Sequence, residues 1–170
     1  MKPKNLILII ALFGVFSCTN QSKSPLTQEE KNEITKEVNA VMNSMMEGMK
    51  NLDASQAFEA NLLLNDDFKY IDIHGKVLNS KAFMEEVHSN FDVAKKVEFG
   101  FSTPDIRIVT RDVAIVTLIY HGTFYFPETT LTFPDCGSTL VLEKTADGWK
   151  VIHFQESLQE SEFVQTPLNQ

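Results

Sequence analysis

Gly148-Trp149-Lys150-Val151-Ile152-His153-Phe154-Gln155-Glu156-Ser157 is the stretch on which the reading of this chain turns. It follows a turn sequence, Thr145-Ala146-Asp147-Gly148, and reads as one long strand. Side chains alternate across a strand. One face therefore carries Trp149, Val151, His153, Gln155 and Ser157; the other carries Lys150, Ile152, Phe154 and Glu156. The first face begins apolar and becomes polar, as the wall of a pocket does. The second is half apolar, which predicts that something covers it as well.

Upstream of this stretch, from Lys95 onward, the chain reads almost entirely as strand. Val97–Phe101 is one, Ile106–Thr110 the next, and a tight turn at Arg111-Asp112 leads into Val113–Phe126. Gly122 marks a bulge or bend in that long run. Pro127 to Cys136, with two prolines, reads as a connection at the sheet rim, and Ser138–Lys144 returns to the turn before Gly148.

The first part of the folded region is helical. Thr27-Gln28-Glu29-Glu30 is a capping box, opening a helix whose apolar residues Ile34, Val38, Val41, Met42, Met45, Met46 and Met49 fall on one face. Methionine is flexible and polarizable, so this stripe reads as core with Met45 and Met49 as candidates to floor a pocket. A second, shorter helix is expected from Asp53, and a strand over Phe68–His74 ended by Gly75. Ser80 is expected to cap a third helix carrying Phe83, Val87 and Phe91. Helices followed by four or five antiparallel strands predict an α+β fold: a cone-shaped barrel of strongly curved antiparallel sheet packed on three N-terminal helices. Such a cone has an open mouth, a natural place for a small ligand.

The extreme N-terminus is an address. Lys2 and Lys4 precede an apolar run, Leu6–Phe16, too short to span a membrane comfortably. Its end, Val15-Phe16-Ser17-Cys18, resembles the bacterial lipoprotein signal, in which the cysteine receives lipid and becomes the first residue; an ordinary secretory signal is the other reading. The resemblance implies a signal peptide over residues 1–17, lipidated Cys18 opening a tether over 18–26, a membrane-anchored protein of the bacterial envelope, and a domain over 27–158 before a polar tail, 159–170. A lipidated Cys18 leaves Cys136 without a disulfide partner in the chain.

The formal charge is −8; without residues 1–17 it becomes −10, from 13 basic and 23 acidic residues. With no basic stripe, this surface repels phosphate backbones and argues against nucleic-acid binding. The four histidines are scattered, so no metal site is expected. No phosphate-cradling glycine loop or serine-nucleophile motif is present, and no cofactor is implied.

The ordered set Asp66-Asp67-Phe68-Lys69-Tyr70 with Gly75, Arg111-Asp112-Val113-Ala114-Ile115-Val116, Gly137 and Asp147 through Ser157 resembles the SnoaL-like branch of the nuclear transport factor two-like superfamily. The resemblance implies the cone fold over the domain and homodimers packed sheet against sheet, which would cover Ile152 and Phe154. It also implies two polar residues of the last strand facing the pocket, here His153 and Gln155.

On the residues themselves, the candidate pocket comprises Tyr70, Asp72, Met45, Met49, Trp149, Val151, His153 and Gln155. Asp72 or His153 would act as general base, with Tyr70 donating to an oxyanion. Three functions stand open: a lipid-anchored module binding a small apolar or amphipathic molecule, an enzyme of the isomerase, cyclase or dehydratase kind, and a protein-interaction module.

Overall fold

The computed structural model describes residues 24–158 and the backbone of 164–167. The signal segment and Cys18 lie outside the described residues. Helix α1 (Gln28–Asn51) begins as expected: the Thr27 hydroxyl accepts from the Glu30 amide, and the Glu30 carboxylate accepts from the Thr27 amide. It ends at Leu52 in the left-handed conformation, φ 54°. The expected second helix is a single π-helical turn, Ser55–Glu59. The Asn61 side-chain amide stops it by donating to the Gln56 carbonyl at 2.7 Å and to Ser44 Oγ at 3.2 Å. Gly48 lets this turn lie directly on α1, because a Cβ there would stand 2.1 Å from the Ala57 nitrogen.

Strand β1 (Lys69–Ile71) is shorter than the alternation suggested, and β2 (Val77–Leu78) follows it antiparallel. Between them Asp72 closes the turn. Its Oδ1 accepts from the amides of His74 and Lys76, each at 2.8 Å, and Gly75 supplies the positive φ of 80°. Helix α2 (Ser80–Val93) is capped by Asn79, one residue before the expected Ser80. The remaining strands are β3 (Lys96–Phe101), β4 (Asp105–Ile108), β5 (Val113–Tyr125), β6 (Thr129–Thr145), β7 (Gly148–Ser157) and β8 (Val164–Pro167).

The α+β class holds, with two differences in the sheet. Its order is β2-β1-β7-β6-β5-β3, with β4 also pairing β5 and β8 also pairing β6, so it is curved but open rather than a closed barrel. It is also mixed, because β1 runs parallel to β7. The expected rim connection over 127–136 belongs largely to β6. Pro134 and Asp135 sit in the irregularity where the register slips between Tyr120 and Gly122, a place that tolerates a residue with no amide hydrogen. Gly122 is thus at the bulge the sequence indicated. The expected tail contributes a strand, β8, whose backbone pairs with the start of β6.

The decisive irregularity lies in β7. Leu142 of β6 faces Val151, but the next pair is Val141 with His153, so Ile152 has no partner and forms a bulge. On the other side of β7 the neighbour changes at the same point. Val151 bonds through its amide and carbonyl to Asn61 and Leu63, whereas His153 is already in register with Lys69 of β1. The bulge advances the alternation by one residue, and every side chain after it changes face. Trp149, Val151, Phe154 and Glu156 look inward; His153 and Gln155 look out.

The core lies between this inner face and the helices. Val38 and Met42 of α1, Phe68, and Val116, Leu142 and Val151 of the sheet are fully or almost fully buried there. Two charged contacts pin α1 over it. Arg111 holds Glu30, Nε to Oε1 at 3.0 Å. Glu37 Oε2 accepts from Trp149 Nε1 and Lys144 Nζ, both at 2.7 Å.

Candidate functional site

A cavity of about 260 Å³ opens between α1, α2 and the inner face of β3, β5, β6 and β7. Each element contributes by its own periodicity. The α1 stripe presents Met42, Met45, Met46 and Met49. Alternation places Leu118, Tyr120 and Phe124 of β5 opposite Ser138, Cys136 and Leu131 of β6. Of these six, Leu118, Tyr120, Phe124, Leu131 and Ser138 line the cavity. Eleven aromatic side chains line it in all. They brace one another: Tyr70 and Phe83 have centroids 4.7 Å apart, Tyr70 and Phe154 5.2 Å, and Phe99 and Tyr120 5.6 Å.

One half-buried carboxylate reaches into this apolar space away from its edge. Glu156 is in register with Ser138 and lines the cavity beside it. The Tyr70 hydroxyl donates to Glu156 Oε2, and the Tyr120 hydroxyl reaches the same carboxylate. Burial pushes the Glu156 carboxyl up to about 7; the bonds from Tyr70 and Tyr120 oppose that shift, and the charge of Asp72 adds to it. Burial, then the Glu156 charge, hold both phenols above their usual range. The hydroxyl of Ser138, 4% exposed, has no hydrogen-bond partner among the described residues. A buried polar atom left without a partner costs free energy that a suitable ligand or water recovers.

The arrangement differs from the one the strand alternation implied. Tyr70, Met45 and Met49 do line the cavity. His153 and Gln155 do not, because the Ile152 bulge turns them to the opposite face. Phe154, expected on a covered outer face, is 8% exposed and lines the cavity instead. Trp149 and Val151 point inward but are buried away from the cavity, Trp149 as the donor to Glu37. Asp72 spends its carboxylate on the β1–β2 turn. Neither proposed base, Asp72 or His153, is therefore among the lining residues; the carboxylate that is there, Glu156, stood on the face assigned to the exterior. No signal within β7 marks it: under strict alternation its large apolar residues fall two to a face, Trp149 and Val151 on one and Ile152 and Phe154 on the other, so the strand reads as regular.

The geometry is a deep apolar pocket with a few convergent polar groups, between a curved sheet and its covering helices. A family model for the SnoaL-like domain matches residues 38–160. The chain belongs to the SnoaL-like family. Its cone contains the cavity just described, and the match runs from within α1 through β7. Among solved structures, an NTF2-like protein of unknown function in nutrient uptake from Rhodospirillum rubrum aligns with TM-score 0.62 and 18% identity over 72% of this chain and 98% of that one. An NTF2-like superfamily protein from Salmonella enterica aligns with TM-score 0.66 and 14% identity, covering 75% and 92%. A hexachlorocyclohexane dehydrochlorinase aligns with TM-score 0.65 and 10% identity, covering 84% and 94%. At these identities the likeness is one of fold. No curated protein matches the sequence.

Proposed function

We propose that this SnoaL-like domain binds a small, largely apolar molecule in its cone, with Glu156, Tyr70, Tyr120 and Ser138 gripping one polar end. The observation that carries the reading is the pairing of an aromatic and methionine-lined cavity with one half-buried carboxylate, Glu156, held by two phenols. Sites of this make-up, mostly apolar with few placed polar groups, are those that hold small molecules. Native mass spectrometry of the domain from Ser24 tests it. A retained small mass, or cavity-residue NMR shifts on adding neutral apolar probes, is expected; a ligand-free protein that shifts with no probe refutes the reading.

The raised Glu156 supports a second reading, proton abstraction from a carbon acid, since a carboxylate titrating near neutrality suits a general base and the unpartnered Ser138 hydroxyl stands ready as donor. Deuterium exchange into an enolisable apolar ketone would then be accelerated by the wild type and not by Glu156→Gln. Equal exchange with both proteins rejects it.

We further propose that Cys18 is lipidated and holds the domain at a membrane of the bacterial envelope. Incorporation of a clickable fatty acid, lost in Cys18→Ala, checks this. Homodimerisation is proposed through the outer sheet face. It rests on Ile115, Val141 and Ile119, the last 45% exposed, rather than on Phe154. Sedimentation equilibrium reporting a monomer would exclude it.

A further inference from the structure

Charge inside the cavity is one-sided. Among the lining residues there is no lysine, arginine or histidine, and the two charged side chains are Glu86 and Glu156. Glu86 stands at the edge on α2, where Lys76 compensates it at 2.6 Å. Glu156 has no such partner. The groups that face it are Tyr70 from β1, Tyr120 from β5 and Ser138 from β6, all neutral, with Asp72 on the β1–β2 turn adding a second negative charge. Around it the eleven aromatic rings offer many π faces, each with a negative quadrupole.

These features discriminate by charge. An apolar anion such as a fatty acid would have to bury a carboxylate beside Glu156 with no cation to neutralise it, which is strongly unfavourable. A neutral molecule pays neither penalty nor gains an ion pair. An apolar cation gains twice, from the carboxylate and from the ring faces. We infer that the cavity selects hydrophobic cations, a lipophilic amine or quaternary ammonium, seated with the nitrogen beside Glu156 and the carbon skeleton among the aromatic and methionine side chains. A protonated amine, unlike a quaternary ammonium, has donors as well, and the unpartnered Ser138 hydroxyl is an acceptor on the same wall. This inference rests on the small-molecule reading above and narrows its ligand class.

A matched series separates the two. Phenylbutylamine, phenylbutanol and phenylbutyrate share a carbon skeleton and differ in charge, and their affinities for the wild-type domain are measured by calorimetry at one neutral pH. The expected order is amine over alcohol by about tenfold or more, with phenylbutyrate weakest. Glu156→Gln is expected to reduce the amine to the level of the alcohol. Equal binding by all three, or preference for phenylbutyrate, overturns the cationic selectivity and leaves the binding reading in place. Binding by none of the three overturns both. Should the glutamine variant fail to fold, the wild-type order decides alone.

Discussion

Replacing Glu156 by glutamine should make the protein more stable, and more so as the pH rises. The carboxyl is held at about 7 against a reference of 4.5. A folded pKa above the unfolded one means that the native state binds more protons between those two values. Its stability therefore falls as pH rises through that window, and the penalty is complete above the folded value. Integrating the two titrations from about pH 5 to pH 8 gives a loss of about 2.5 kcal/mol for the wild type that the uncharged glutamine does not suffer. Water in the cavity would screen the charge and reduce this figure. Glu30 and Glu37, whose carboxyls are lowered by their hydrogen bonds, act in the opposite sense at lower pH and cancel between the two proteins. Urea unfolding followed by the fluorescence of Trp149 measures the difference at each pH. Parallel stability curves for the two proteins would show that Glu156 is not a half-buried carboxylate facing an apolar cavity.

Tyr70→Phe removes the donor that lowers the Glu156 carboxyl, so its titration, followed by carbon NMR of the side chain, should move above about 7; an unchanged or lower midpoint contradicts the hydrogen bond. Gly48→Ala drives a Cβ into the Ala57 backbone at 2.1 Å and should cost about 3 kcal/mol or more in urea unfolding, because backbone on both sides cannot yield; a loss under about 1 kcal/mol would show that α1 and the π turn are not in direct contact. Trp149→Phe removes one of the two donors to Glu37 Oε2, leaving Lys144 on it, and should cost about 1 kcal/mol in thermal or urea unfolding while leaving probe affinity in the cavity unchanged; weaker binding would place Trp149 in the site after all.

Much of the architecture was legible because it depends on local rules. The Thr27–Glu30 box, the methionine stripe and the Gly122 bulge each carry their own signature within a few residues. The site was legible only in part. Tyr70, Met45 and Met49 were readable because their elements keep one period throughout. Glu156, Tyr120 and Ser138 were not. The face of Glu156 depends on Ile152 being unpaired, and that follows from a change of neighbour on the far side of β7, from the 61–63 segment to β1. No window along β7 contains those residues. Asp72 misled for a related reason: a carboxylate two places beyond an inward tyrosine looks like pocket wall until Gly75 folds the backbone onto it.

The unpaired Ile152 also gives β7 a parity. Remove it, and Trp149, Val151, Phe154 and Glu156 fall on one side by simple counting, so a deletion at that point leaves inside and outside as they are. Remove Gln155 instead, and Glu156 takes its outward place while Ser157 moves to the cavity wall. A one-residue deletion in this strand is thus either silent in its chemistry or removes the carboxylate from the cavity, according to which residue is lost.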